Sequence, residues 1–89
     1  MFEIRFSSKA EKAYKKTNSK ILQRIDILFK KIEKNPIPAQ EFDLKKISGT
    51  DETYRIRLSS FRVLYSVYWE EKIIRILKIE KRKSSTYKF

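Results

Sequence analysis

The chain has 89 residues, 40% of them hydrophobic, enough for one small domain with a modest core. Lysine and arginine number 22 against 11 aspartates and glutamates, and the net charge of +11 favours a polyanionic partner, nucleic acid first and an acidic protein second. Cysteine and histidine are absent, which excludes disulfides, thiolate chemistry, the usual zinc sites and any Ser-His or Cys-His nucleophile. Met1-Phe2-Glu3-Ile4 is not a basic segment followed by an apolar run, and no apolar stretch is long enough to span a bilayer, so a cytoplasmic protein with no membrane contact is expected.

Phe2, Ile4 and Phe6 alternate with Glu3 and Arg5, the pattern of a first strand. Ser8-Lys9-Ala10-Glu11 has the spacing of a capping box and would start a short helix with a narrow stripe of Ala10, Ala13, Tyr14 and Thr17. Lys9, Lys12, Lys15 and Lys16 occupy its other sides as a solvated face. Asn18-Ser19 can cap a second helix, in which Ile21, Leu22, Ile25, Leu28, Phe29 and Ile32 follow the 3.6-residue period. Asn35-Pro36-Ile37-Pro38 ends it, because proline cannot continue a helix and turns the preceding residue away from one. The two helices are expected to form a hairpin on one face of a sheet.

Residues 39–53 are the least regular part: Phe42, Leu44 and Ile47 are read as anchors to the core, and Ser48-Gly49-Thr50-Asp51 as a turn. Then Tyr54, Ile56 and Leu58 alternate with Arg55 and Arg57, and Phe61 to Trp69 forms a second strand after a tight connection. Arg55 and Arg57 are two residues apart and share a face, which Arg62 can join from beyond the turn. Three guanidiniums on a rigid sheet face make a phosphate-binding surface. Glu70-Glu71-Lys72 turns the chain into a last strand, Ile73 to Glu80. It looks apolar on both faces, with Ile73, Leu77 and Ile79 against Ile74 and Ile76, so it is either central or covered, for instance by a partner chain. The tail from Glu80 to Phe89 is basic and aromatic.

Glu41 and Asp43, Asp51 and Glu52, and Glu70 and Glu71 fall in expected loops or turns, with no spacing diagnostic of a two-metal site, and there is no Gly-rich phosphate loop. Arginine, lysine and tyrosine remain. Such groups can stabilise the pentavalent phosphate of RNA cleavage and hold RNA in line for attack by its own 2′-hydroxyl, a route closed to DNA. A basic module that only binds RNA has the same composition.

The strand–helix hairpin–strands order, with Tyr54-Arg-Ile-Arg-Leu58, Phe61-Arg-Val-Leu-Tyr65 and Lys81-Arg82-Lys83 followed by Tyr87, resembles the RelE/ParE superfamily of type II toxin–antitoxin toxins, RelE-like branch, over nearly the whole chain. The resemblance implies an α+β fold with a β-α-α-β-β-β order, a small antiparallel sheet with an N-terminal helical hairpin packed on one face, in a single domain of residues 1–89. It implies a ribosome-dependent endoribonuclease that cuts messenger RNA in the A site by 2′-hydroxyl attack, without metal or cofactor. By position, Arg55 and Arg57 match the residues that bind phosphate and assist proton removal, Arg62 the one that stabilises the transition state, Arg82 the one that serves the leaving group, and Tyr87 the tyrosine that stacks on a base. Lys81, Lys83 and Lys88 supply further RNA contacts in the tail. Position 57 is Arg where Lys is often found, and a guanidinium is a very poor base, so Arg57 is suited to stabilising charge. The implied partners are an acidic RelB-like antitoxin, in a toxin–antitoxin hetero-oligomer, and the ribosome with its messenger. Two other readings share the basic surface: a ParE-type toxin that acts on DNA gyrase by binding, and a non-catalytic RNA- or ribosome-binding domain.

Overall fold

The computed structural model describes residues 1–49 and 52–81. The elements in order are β1 (Glu3–Phe6), α1 (Ser8–Lys16), α2 (Ser19–Lys34), β2 (Asp43–Lys46), β3 (Thr53–Leu58), β4 (Phe61–Tyr68) and β5 (Ile73–Lys81). The strands form one sheet in the order β1-β5-β4-β3-β2. All neighbours are antiparallel except β1 and β5, because the helix pair between β1 and the later strands returns the chain to run alongside its first strand.

The helix hairpin expected from the sequence is present, with a shifted start. Ser7, not Ser8, is the N-cap of α1: its hydroxyl accepts from the Ala10 amide at 3.0 Å. Asn18 caps α2 through the Ile21 amide, and the helix stops at Asn35, just before Pro36. Ile21, Ile25, Leu28, Phe29 and Ile32 are buried against the inward residues of the sheet, among them Tyr54, Ile56, Val63, Tyr65, Val67, Ile74 and Ile76. Tyr65 is fully buried at the centre and donates its hydroxyl to the Pro36 carbonyl at 2.7 Å, tying the end of α2 to β4.

The parallel β1–β5 pair makes the sheet mixed where an antiparallel one was expected, and two further details differ from the sequence reading. The segment read as irregular contains β2, an edge strand of four residues paired with β3. It is short and largely exposed, so it lacks the apolar alternation that marks the buried strands. In β5 the register shifts opposite Leu64 and Tyr65, where Leu77 is left without a cross-strand partner. This β-bulge turns Ile79 onto the same inward face as Ile74 and Ile76, instead of the face of Ile73 and Leu77. The strand is also central, between β1 and β4. Ser7 secures the bulge, donating its hydroxyl to the Leu77 carbonyl at 2.9 Å while its amide bonds the Ile76 carbonyl. One residue therefore joins the end of β1, the start of α1 and the bulge.

Candidate nucleic-acid interface

Cross-strand register determines which polar residues share the face opposite the helices. One row across the sheet reads Asp43, Arg57, Arg62 and Glu80. The next reads Lys45, Arg55, Leu64 and Lys78. A third reads Thr53, Ser66, Arg75 and Arg5. The β3–β4 hairpin makes the first two rows possible. Its connection is only Ser59-Ser60, with Ser59 at φ 60°, the left-handed conformation that suits a tight hairpin turn and brings Arg57 directly opposite Arg62.

The guanidiniums of these rows are held differently. Arg62 is half-buried and donates from Nε to Glu80 Oε2 at 2.7 Å, with both side chains about a third exposed (34% and 36%). Arg57 is exposed and meets Asp43 only at 4.0 Å. Arg55 is half-buried, and its Nε is buried with no hydrogen-bond partner among the described residues. An unsatisfied buried donor costs about 1–3 kcal/mol, so Arg55 carries a hydrogen-bonding capacity that the described residues leave unused. Together the rows offer a cationic, donor-rich surface on rigid strands, suited to holding phosphate groups at neighbouring positions.

Two tyrosines close to these rows in sequence take no part. Burial, with Tyr54 beside it, pushes the Tyr65 hydroxyl well above the ordinary tyrosine value. Burial, then its bond to Glu52, also raises the Tyr54 hydroxyl above the ordinary value. Both rings face the core. Glu52 in turn is held below the usual carboxylate range by hydrogen bonds from Trp69 and Tyr54.

The structure thus brings together Arg55, Arg57 and Arg62 from the set chosen by sequence, with the exposed Lys81 at the end of β5 beside Phe61. Arg82, Tyr87, Lys83 and Lys88 lie outside the described residues. Sequence reasoning missed Glu80, Asp43, Lys45 and Lys78 as neighbours of the arginines. Their proximity depends on strand order and on the bulge, and the one available signal was the two-residue spacing of Phe42 and Leu44, read only as anchoring.

A helix hairpin on one face of a five-stranded mixed sheet is the fold of the small RelE toxins. The family model described as "ParE toxin of type II toxin-antitoxin system, parDE" matches residues 4–85, and the chain belongs to that family. Its similarities point to the RelE side of the group. A candidate toxin of Methanocaldococcus jannaschii, RelE1, is 36% identical over 84 residues, which is 94% of this chain and 93% of the relative. A chain of the archaeal RelE–RelB complex from Pyrococcus horikoshii OT3 superposes with a TM-score of 0.83 at 32% identity, over 93% of this chain and 97% of that one. The isolated RelE toxin of E. coli also gives 0.83, at 23% identity over 98% and 92% of the two chains, a likeness of fold.

Proposed function

We propose that this toxin is a ribosome-dependent endoribonuclease that cuts messenger RNA by attack of the RNA's own 2′-hydroxyl, and that a cognate RelB-like antitoxin neutralises it. The observation that carries the reading is the placement of Arg57 directly opposite Arg62, with Arg55 in the next row. A phosphate lying across β3 and β4 meets guanidiniums from both strands. Arg62 then stabilises the charge that develops on the pentavalent phosphate, while Arg55 and Arg57 fix the strand and its 2′-oxygen in line. The tail completes the site: Arg82 serves the leaving oxygen, Tyr87 stacks on a base, and Lys81, Lys83 and Lys88 hold the flanking backbone. The RNA supplies the nucleophile, so the scheme calls for no metal or cofactor, and DNA lacks the group that attacks. The antitoxin partner is supported by the RelE–RelB assembly of the Pyrococcus relative.

Primer extension on a messenger incubated with the protein, with and without translating ribosomes, tests the reading. Cuts at A-site codons only when ribosomes are present are the expected result. Intact messenger in both samples would reject it. The ParE description of the family favours a second reading, a toxin that acts by binding DNA gyrase. Inhibited DNA supercoiling with messenger left intact is the result that would select it.

A further inference from the structure

Attack by a 2′-hydroxyl needs an acceptor for its proton, and the three arginines do not supply one, since a guanidinium stays protonated far above neutrality. Histidine is absent from the chain, and the two tyrosines on the inward face of β3 and β4 are committed elsewhere, the Tyr65 hydroxyl donating to the Pro36 carbonyl and the Tyr54 hydroxyl to Glu52. The described carboxylates paired with arginines on this face of the sheet are Glu3, Asp43 and Glu80. Glu3 lies out on edge strand β1, held by Arg5 at 3.1 Å. Asp43 lies on the opposite edge strand, with its side chain 67% exposed and 4.0 Å from Arg57. Glu80 is on central strand β5, directly opposite Arg62 and bonded to it at 2.7 Å.

Resting on the nuclease reading above, we propose that Glu80 is the general base of this toxin. The Arg62–Glu80 contact joins Nε to Oε2, so that among the described residues the two Nη groups of Arg62 and Oε1 of Glu80 are left to meet a substrate. A phosphate held by the Nη groups brings its ribose toward Oε1. The 2′-hydroxyl proton passes to the Glu80 carboxylate, the 2′-oxygen bonds to phosphorus, and the bond from phosphorus to the 5′-oxygen breaks. The leaving oxygen takes a proton from water, and Glu80 returns its own to water, so the products are a 2′,3′-cyclic phosphate and a 5′-hydroxyl. The same ion pair orients both groups: Arg62 holds the carboxylate in the row, and Glu80 holds the guanidinium at the phosphate. The bulge at Leu77 is part of this arrangement, because it sets the phase in which Lys78 and Glu80 face the arginines while Ile79 faces the core.

The test is single-turnover cleavage of messenger on programmed ribosomes across a pH range, with wild type, Glu80→Gln and Glu80→Asp. A general base contributes about 10²–10⁴-fold, so Glu80→Gln should lose that much at neutral pH. It should also lose the acid limb, on which the wild-type rate rises as a carboxyl group gives up its proton. Glu80→Asp should retain the limb at reduced rate. Activity of Glu80→Gln at or above the wild-type level overturns the assignment and makes Glu80 a counter-ion that the phosphate displaces. An equal loss at every pH also overturns it and makes Glu80 a positioning residue for Arg62. Wild type that leaves messenger intact overturns the nuclease reading and this assignment together, whereas an active wild type with an unaffected Glu80→Gln overturns the assignment alone.

Discussion

At the scale of single residues, Arg62 and Tyr65 stand three residues apart on β4 and so face opposite sides of the sheet, one among the arginine rows and the other in the core. Replacing Arg62 by Ala removes one ion pair with Glu80 whose side chains are about a third exposed, and a pair so open to solvent contributes at most about 1 kcal/mol. Losing a group aimed at the charge of a transition state costs about 10²–10³ in rate. The expected outcome is therefore a variant that unfolds in urea near the wild-type midpoint, still binds antitoxin, and has lost cleavage and toxicity. Full toxicity in that variant would remove the main support for the nuclease reading. Tyr65→Phe should do the reverse. It strands the buried Pro36 carbonyl and should cost about 1–3 kcal/mol in urea unfolding, with cleavage unchanged at temperatures where the variant is folded. It also isolates a pH effect. Burial raises the folded-state value of Tyr65, so the phenolate forms first in the unfolded chain. The stability tied to the neutral hydroxyl is complete below the unfolded value of about 10 and is lost as pH climbs from there towards the raised folded value. Above about pH 10 the wild type should lose stability more steeply than Tyr65→Phe, by up to about 1.4 kcal/mol per pH unit, the linkage slope for one proton. Parallel curves would show that Tyr65 ionises as readily folded as unfolded.

At the scale of elements, what could be read from the sequence was what depends on local period. The stripe Ile21, Ile25, Leu28, Phe29, Ile32 and the stop at Asn35-Pro36 define α2 without reference to anything distant. The alternation around Arg55 and Arg57 defines β3 and its two faces. What could not be read depends on contacts far apart in the chain. The partnership of Arg62 with Glu80 needs the β4–β5 register, and the inward turn of Ile79 needs the bulge that Ser7 secures from the other end of the protein. The cap itself shows the same limit. Ser8-Lys9-Ala10-Glu11 matches a capping box in sequence, yet Ser7 is the residue whose hydroxyl meets both the Ala10 amide and the Leu77 carbonyl. A cap substitution costs about 0.5–2 kcal/mol, and Ser7 makes a second, long-range bond besides. Ser7→Ala should therefore fall at the upper end of that range or beyond in thermal or urea unfolding, while Ser8→Ala, at an exposed first-turn position, should change stability by less than about 0.5 kcal/mol. Equal effects would place the cap at Ser8.

At the scale of the whole molecule, the chain carries a net charge of +11, and its described basic residues lie on both layers. The sheet face carries Arg55, Arg57 and Arg62, while the helix layer exposes Lys9, Lys12, Lys16, Lys20, Arg24 and Lys30. A protein that merely threads a single RNA strand across its sheet needs only the first set. One enclosed by ribosomal RNA can use both, and counterion release separates the two cases. For single-stranded RNA each phosphate contact contributes about 0.7 to the slope of log affinity against log salt. With a short single-stranded oligonucleotide carrying a 2′-deoxy block at the cut site, Arg55→Ala should lower the slope by about 0.7, and the double substitution Lys12→Ala, Lys16→Ala should leave it unchanged. With ribosomes as the ligand, the same double substitution should reduce the slope and weaken binding uniformly across messenger sequences, because lysines on the far layer then face phosphates of their own. If the helix-layer substitutions change neither slope, the basic helices are only a solubilising surface and ribosome engagement rests on the sheet face alone. If they change both, the oligonucleotide runs over the helices, and the arginine rows are not its path.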